Sequence, residues 1–193
     1  MEMRELVLKC RSYRRFDASI RVGESTLREI VALAGSVASA ANRQPLKYVL
    51  SCAPDWTLLI FETLAWAAYL EKWPGPGPEE RPTAYVVILL DTGISRSADI
   101  DVGIAAQTIP LAATERGLGG CMFGAVKRDE LAARLALLPH LAIALVIALG
   151  KPVENVVLED LPPDGSIKYY RDKGGTHHVP KRREQELIQA VYS

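Results

Sequence analysis

The segment RSYRRF at residues 11–16 and the segment HVPKRR at residues 178–183 are short basic clusters near opposite ends of the chain. Arginine presents a planar fork of N–H donors that matches the oxygens of a phosphate group, and Ser12 adds a hydroxyl donor beside it. Each cluster is therefore suited to a monoester phosphate. If the two clusters converge in the fold, they form one phosphate site.

Two further segments lie between the basic clusters. The segment ASAANRQPL at residues 38–46 combines small residues, which let a backbone approach a planar ligand, with Asn42 and Gln44, whose amides supply donors and acceptors. The segment GLGGCMFGA at residues 117–125 is rich in glycine and predicts a tight turn that enters a strand. Each segment alone is a weak signal, but the four in this order form a specific pattern.

The four segments together resemble the FMN-dependent nitroreductase family in its short, single-domain type. Order and spacing agree with that family across nearly the whole chain. The resemblance implies an α+β protein, with a three-layer α/β/α fold around a central mixed or antiparallel sheet. It also implies an intertwined homodimer with FMN in the interface. In that arrangement residues 1–193 form one domain, and residues 151–193 are a C-terminal arm that reaches the partner subunit.

The resemblance assigns the flavin site to residues of all four segments. The cofactor-binding residues that it implies are Arg11, Ser12, Tyr13, Arg14, Ser39, Ala40, Asn42, Gln44, Phe123, Gly124, Ala125, Lys181, Arg182 and Arg183. Backbone amides near Gly124 and Ala125 are expected to face the N5 edge of the flavin. Arg14, with Lys181 as second choice, is expected to stabilise the N1 and O2 edge of the reduced flavin. The register of the C-terminal basic residues is open by one position.

Three positions depart from the family pattern. Cys10 stands where the family often has a second arginine, so we expect Arg15 or the C-terminal residues to supply the missing phosphate contact. Ala38 replaces the usual proline, and Leu46 replaces the usual tryptophan. These two replacements predict a looser loop around Asn42.

The activity implied by the resemblance is that of an NAD(P)H-dependent FMN oxidoreductase. In its ping-pong cycle, NAD(P)H delivers a hydride to the flavin and leaves, and a nitroaromatic, quinone or similar small acceptor then takes two electrons. Because FMN supplies the chemistry, no side chain need be catalytic. Two alternatives stay open: a flavin-binding sensor or storage protein without robust turnover, and a specialised flavin enzyme of a dehalogenase-like or flavin-destroying kind. For such an enzyme, the loop at residues 73–82 is the obvious lid candidate.

Composition narrows the class of protein. Hydrophobic residues make up 49% of the chain, and 23 basic side chains balance 23 acidic ones, so no net field favours nucleic acid or an anionic membrane. The N-terminal segment MEMRELVLKC has charges where a secretory signal needs an apolar run, so we expect a cytoplasmic protein. The apolar stretch at residues 56–70 is shorter than the roughly 20 residues of a membrane-spanning helix.

Other motifs and residue types give weaker indications. Because no GxGxxG after a strand, P-loop or GxSxG elbow occurs, a Rossmann dehydrogenase, an NTPase and a serine hydrolase are disfavoured. Cys10, Cys52 and Cys121 are too widely spaced for a disulfide framework or a zinc pattern, so we expect buried small side chains. His177 and His178 would point to opposite faces of a strand and have no third ligand at a recognisable spacing, so we predict no metal site.

Periodicity predicts the order of helices and strands. The expected helices are 26–35, with a capping box from Thr26 to Glu29, then 56–70, capped by Asp55, then 99–116, kinked at Pro110, and 129–138. The expected strands are 46–52, 83–91 with both faces covered, 120–126 and 141–150. Small residues in helix 99–116 predict close packing of another helix. The segment 73–78 is expected to be an exposed loop, and the tail from residue 151 is expected to lack a fold of its own.

The aromatic residues near the end of the second predicted helix have two interpretations. Trp66, Tyr69 and Trp73 form a wall over the flavin in one interpretation and pack in the core in the other. An aromatic stripe on an apolar helix is more often core, so we favour the second.

Overall fold

The computed structural model describes residues 1–70 and 73–192. The chain divides into two units, a main unit of Met1–Trp66 and Gly75–Val153 and a C-terminal unit of Ala67–Pro74 and Glu154–Ser193. The predicted aromatic segment 66–73 and the predicted arm 151–193 each include residues outside the described part, namely Glu71, Lys72 and Ser193. That the second unit is an arm reaching a partner subunit stays a prediction.

Within the described residues, the main unit contains five helices and five strands. The helices are α1 Met3–Lys9, α2 Glu24–Gly35, α3 Pro54–Phe61, α4 Asp99–Glu115 and α5 Arg128–Arg134. The strands are β1 Phe16–Asp17, β2 Leu46–Ser51, β3 Ala84–Asp91, β4 Gly119–Phe123 and β5 Leu141–Pro152. Short 3₁₀ turns lie at Ala40–Asn42 and Pro78–Glu80. In this part of the chain no helix combines the length and the apolar character that crossing a membrane requires.

The five strands form one antiparallel sheet. β3 lies between β2 and β5, and β5 also pairs with β1 and β4. The apolar run at residues 83–91 is therefore an interior strand, as predicted, because strands that are covered on both faces carry continuous apolar side chains. The expected antiparallel sheet is confirmed.

Helices cover both faces of the sheet and give it three layers. Ala84, Val86 and Ile88 of β3 face a core cluster that includes buried residues of α2 and α4. Tyr85 and Val87 face the opposite cluster, which includes buried residues of α3 and α5. Fully burying an aliphatic side chain contributes about 1.5–3 kcal/mol, so this strand anchors both layers. The three-layer α/β/α architecture is confirmed.

Three predicted helices have different bounds, and the helix predicted over residues 129–138 is α5, which ends at Arg134. α2 begins at Glu24 with Gly23 as its N-cap, so Thr26 is inside the helix and does not cap it. α3 ends at Phe61, nine residues short of the predicted end at Leu70, and Ala53, not Asp55, is its N-cap. The ring of Trp66 packs edge-on against Phe123 of β4, with 4.6 Å between ring centroids, so the chain turns there to fill the core. Trp66 is thus a core residue of the main unit.

The C-terminal unit has a sheet of its own, contrary to the expectation that the tail lacks a fold. Its strands are β6 Val156–Asp160, β7 Tyr170–Arg171 and β8 His177–Lys181, followed by the short helix α6 Glu184–Leu187. β8 pairs in parallel with β6 and antiparallel with β7.

A buried ion pair and aromatic contacts stabilise this unit. The side chain of Glu154 is fully buried and accepts a hydrogen bond of 3.0 Å from Nη2 of Arg171. The guanidinium of Arg171 also lies 4.7 Å from the ring centroid of Trp73. Tyr69 packs against Tyr169, with 4.9 Å between ring centroids. Neither Tyr69 nor Trp73 lies in a helix, so the aromatic stripe that the sequence suggested does not form.

Candidate functional site

The N-terminal basic segment lies against the glycine-rich strand β4. The backbone N–H of Tyr13 donates to the carbonyl of Gly120 at 2.9 Å, and Ser12 forms a parallel bridge with the same residue. The ring of Tyr13 lies so close to Gly119 that a Cβ at that position would stand 2.5 Å from Tyr13 Cδ2. Glycine at position 119 is therefore required for this packing. The segments at residues 11–16 and 117–125 of the predicted site lie side by side.

Arg11 of the predicted phosphate site has one hydrogen bond and one buried donor without a partner among the described residues. Its Nη2 donates to the carbonyl of Val7 at 2.6 Å, which fixes the side chain against the end of α1. Its Nε is buried and has no acceptor among the described residues. A buried charged donor without a partner is costly, so this atom is suited to receive an anionic oxygen.

The other two arginines of the segment are held by the protein itself. Arg14 donates from Nη1 to the carbonyl of Ser12 at 3.2 Å. Arg15 donates from Nε to Oε2 of Glu80 at 2.8 Å and from Nη2 to Oε1, which makes a bidentate ion pair. The expectation that Arg15 supplies a phosphate contact is not supported, because Glu80 already occupies its guanidinium.

The same ion pair fixes part of the predicted lid. Within residues 75–82, Glu80 is bound to Arg15, and the carbonyl of Glu79 accepts a hydrogen bond of 3.0 Å from Ala18. Pro76 and Pro82 are buried. This half of the loop is held within the main unit, and the expectation of an exposed loop over residues 73–78 is wrong at Pro76.

The loop at residues 39–44 is strained and held by its own hydrogen bonds. Ala41, Asn42 and Gln44 have positive φ angles of 50°, 52° and 49°. The left-handed conformation costs roughly 1–2 kcal/mol for a residue other than glycine. Ser39 Oγ accepts from the backbone N–H of Gln44 at 2.9 Å, and the Gln44 amide donates to Oδ1 of Asn42 at 3.0 Å. Such strain is common at ligand sites.

Helix α4 connects this loop to the N-terminal segment. The buried carboxylate of Asp101 accepts a hydrogen bond of 3.2 Å from the backbone N–H of Ala40. Six residues further along α4, the amide of Gln107 lies 3.8 Å from the sulfur of Cys10, which directly precedes Arg11. Six residues correspond to about 9 Å along a helix axis. One helix therefore contacts both the loop and the phosphate segment.

A cleft lies beside the loop. It has a volume of about 240 Å³ and is lined by residues that include Ser39, Gln44, Tyr48 and Asp101. The sequence interpretation missed Asp101, although an acidic residue in the first turn of the central helix was visible.

The end of β4 presents backbone to solvent. Phe123 is buried against Trp66, whereas Gly124 and Ala125, which directly follow the strand, are exposed. No atom would lie within 4 Å of a Cβ on Gly124, so a planar ligand can approach this backbone closely.

The C-terminal basic residues lie in the other unit. Lys181 ends β8, is exposed and has no carboxylate partner among the described residues. Arg182 pairs with Glu186 at 3.3 Å, and Arg183 pairs with Asp160 at 2.8 Å. Lys181 is therefore the residue of the three that is available to an anion, while phosphate binding by this segment stays a prediction.

The two histidines of β8 serve different contacts. His177 is fully buried, and His178 contacts Glu159 Oε2 from Nδ1 at 3.0 Å and Asp172 Oδ2 from Nε2 at 3.2 Å. The hydrogen bond to Asp172, and then the one to Glu159, raise the pKa of His178. The stabilisation that protonated His178 gains from these two carboxylates is therefore complete below the ordinary histidine pKa of about 6.5. It is lost as the pH rises through the raised pKa of His178.

The remaining candidates from the sequence are a metal site and the three cysteines. Among the described residues, no cluster of three or more histidine, cysteine or acidic side chains has the geometry of a metal site. All three cysteines are free thiols, and only Cys121 is buried, so the expectation of burial is wrong for Cys10 and Cys52.

Comparison with known proteins identifies the family. The fold is a three-layer α/β/α protein with an antiparallel sheet, and a model of the nitroreductase family matches residues 7–151. The chain belongs to the nitroreductase family. The resemblance drawn from the four sequence segments is thereby confirmed, and with it the class of oxidoreductase that the family name denotes.

Solved structures share the fold. A nitroreductase family protein from Clostridium difficile 630 has a TM-score of 0.65 at 18% identity over 79% of this chain and 85% of that chain. A nitroreductase family protein from Clostridium novyi NT has a TM-score of 0.64 at 21% identity over 79% and 87%. A protein from Exiguobacterium sibiricum 255-15, solved in complex with FMN, has a TM-score of 0.66 at 14% identity over 79% and 89%. At these identities the likeness concerns the fold.

Proposed function

We propose that this protein is an FMN-dependent oxidoreductase that transfers two electrons from NAD(P)H to a small acceptor such as a nitroaromatic or a quinone. The proposal follows from membership of the nitroreductase family and from the similarity to a structure solved with FMN. The observation in this chain on which it rests is the buried, unpaired Nε of Arg11.

The residues present fit FMN. Arg11 and Ser12 would bind the terminal phosphate, because a guanidinium and a hydroxyl are matched donors for its oxygens. The strained loop would present Asn42 and Gln44 to the ring system, with its backbone fixed by Asp101. The exposed backbone at Gly124 and Ala125 would lie along the ring edge. Arg14 is our candidate for balancing the negative charge of the reduced cofactor.

When bound, FMN supplies the redox chemistry by accepting a hydride and passing electrons on. The chain's own residues bind and orient the cofactor, and no acid–base pair is needed. Lys181 of the C-terminal unit would add a phosphate contact. The departures at Cys10, Ala38 and Leu46 do not remove any of these groups.

A homodimer is part of the proposal. Several large apolar side chains on two helices of the main unit are exposed, namely Met3, Val7 and Leu8 of α1 and Ile100 of α4. A contiguous exposed apolar patch is typical of a protein interface, and we propose that these side chains form such a patch. Light scattering of the FMN-bound protein should therefore give twice the mass of the chain, and a stable monomer would contradict this part of the proposal.

The test of function begins with the purified protein. It should be yellow, contain about one FMN per chain and bind FAD poorly, because no adenosine-binding motif is present. In anaerobic stopped-flow mixing, NADH or NADPH should bleach the flavin absorbance, and a nitroaromatic, quinone or enone should restore it.

FMN binding and reduction of the flavin by a nicotinamide are the two results that distinguish the candidate functions. A colourless protein that cannot be reconstituted with FMN would refute the proposal. Flavin that binds but is not reduced by either nicotinamide would favour the sensor or storage protein instead.

A further inference from the structure

A second cavity of the main unit lies at the beginning of β3, and none of the predicted flavin-binding residues lines it. Its volume is about 170 Å³, and its lining includes Arg21, Thr57, Leu58, Phe61, Arg81 and Tyr85. Arg21 and Leu58 are exposed, whereas Tyr85 is buried. The cavity is therefore bordered both by exposed residues and by the buried Tyr85.

The hydroxyl of Tyr85 has no hydrogen-bond partner among the described residues, although the residue is 0% exposed. An unsatisfied buried hydroxyl costs about 1–3 kcal/mol, which a phenylalanine at the same position would avoid. Burial also raises the pKa of Tyr85, so the hydroxyl keeps its proton and is a hydrogen-bond donor throughout the physiological range. A donor of this kind is suited to an acceptor that enters from the cavity.

Arg81 is the second unpaired group. Its Nε is buried without an acceptor, and within residues 1–70 and 73–192 its guanidinium pairs with no carboxylate. The guanidinium lies over the ring of Phe61, 4.3 Å from the centroid, which fixes its plane. Arg81 and Tyr85 both line the cavity, and the positive charge of Arg81 opposes the effect of burial on the pKa of Tyr85.

The contrast with other arginines of the main unit is clear. Arg15 pairs with Glu80 and Arg134 pairs with Glu62. Arg21, at the rim of the cavity, donates to the carbonyl of Cys52 at 2.8 Å. Arg81 is thus a partly buried cation whose internal contact is an aromatic face, and it needs an anion to complete it.

We propose that this cavity binds a small monocarboxylate with a short apolar or aromatic tail. None of the described residues that line the cavity is acidic, so the lining itself does not repel a carboxylate. One carboxylate oxygen would accept from Arg81 and the other from the Tyr85 hydroxyl, while Leu58 and the neighbouring prolines contact the tail. The volume lies below the roughly 300–1,000 Å³ of pockets for larger ligands, so the ligand has few heavy atoms.

The apolar lining favours an organic carboxylate over inorganic phosphate. A phosphate dianion needs donors on every side, whereas the buried donors without a partner among the described lining residues are Nε of Arg81 and the hydroxyl of Tyr85. The site is independent of the FMN site, because it uses none of the same residues. Failure of the proposed function would therefore leave this inference untouched.

Isothermal calorimetry of the purified protein, with FMN and without it, tests the proposal with benzoate as the ligand and benzamide as the neutral ligand of the same shape. Benzoate should bind to the wild type, and benzamide should bind at least about 10-fold more weakly. Tyr85→Phe and Arg81→Gln should each weaken benzoate binding by about 10-fold or more. Arg28→Gln, a change at an arginine with a 71% exposed side chain on α2, should have no effect. The absorbance of the flavin should not change on titration.

Thermal unfolding guards against a trivial loss of structure. Without ligand, Tyr85→Phe should be as stable as the wild type or more so, and benzoate should raise the unfolding temperature of the wild type more than that of the variant. Equal benzoate affinity in all variants would overturn the proposal. So would phosphate binding at this site as tight as that of benzoate, or a Tyr85→Phe variant that is less stable without ligand.

Discussion

Replacement of Arg11 by alanine tests the phosphate site most directly. In the folded protein Nε of Arg11 is buried and unpaired, while Nη2 already donates to Val7. If Nε donates to the FMN phosphate, its loss removes a hydrogen bond to a charged group, which contributes about 1.5–3 kcal/mol. Arg11→Ala should therefore weaken FMN binding by about 10- to 150-fold.

The assay is fluorescence titration of the flavin-free protein with FMN and with riboflavin. Riboflavin lacks the phosphate, so its affinity should hardly change. The lost contact between Arg11 and Val7 affects both flavins equally, and the ratio of the two effects isolates the phosphate. Arg4→Ala, at an exposed position of α1, is the matched control.

Arg11→Lys refines the result. Lysine keeps the charge but has no donor at the position of Nε, so FMN affinity should fall between those of the wild type and the alanine variant. Equal losses for FMN and riboflavin would show that the change disturbs the fold. No loss for either flavin would refute the assignment of Arg11 to the phosphate.

Three further predictions concern other parts of the structure. Asp101→Ala should lower the free energy of unfolding by roughly 1–3 kcal/mol, because the backbone N–H of Ala40 loses its acceptor. It should weaken the binding of FMN and riboflavin alike. Asp101→Asn keeps an oxygen at this position and should lose less stability. Gly120→Ala should destabilise the fold by about 1–3 kcal/mol in denaturant titrations, because the new Cβ would stand 2.9 Å from the carbonyl oxygen of Ala148; Gly35→Ala, with nothing within 4 Å, should not. His178→Gln should lower the protection of β8 from hydrogen exchange at pH 6. The difference in protection between wild type and variant should shrink as the pH rises through the raised pKa of His178. A difference that grows with pH would contradict the ion-pair interpretation.

The sequence predicted the central sheet well because its signal is local. The apolar run that becomes β3 is explained by burial on both faces, and the small residues of α4 fit the predicted packing of another helix, which is α2. The pairing order, in which β5 lies between β3 and β4, depends on contacts between distant residues and could not be derived from periodicity.

The errors have a common physical origin in tertiary contacts. The helix predicted over residues 56–70 ends at Phe61 because Trp66 turns into the core beside Phe123, and this packing outweighs an apolar run that is compatible with a helix. In the tail, β6 and β8 pair across some twenty residues of chain. Neither strand has a strong local pattern, so the sheet was missed.

In the candidate site, too, the residue types could be predicted from the sequence, but the tertiary contacts could not. The motif residues could be named from the sequence, but Asp101, which holds Ala40 from another element, could not. The positive φ angles at Ala41, Asn42 and Gln44 were equally invisible, because none of these residues is a glycine. Residue types indicate which side chains could bind a ligand, whereas the positions of those side chains are set by contacts with distant parts of the chain.

Arg11, Arg15 and Arg81 illustrate why an arginine in a motif is not by itself a binding residue. Arg11 and Arg15 lie in one segment, yet Glu80 neutralises Arg15 and leaves Arg11 with a buried donor that nothing in the described protein satisfies. Arg81 lies in no recognised motif and has the same unsatisfied character. Because leaving a buried guanidinium unpaired is costly, a protein retains one where an external anion completes it. By this criterion we propose Arg11 and Arg81 as arginines that bind an external anion, whereas the ion pair with Glu80 makes Arg15 a structural one.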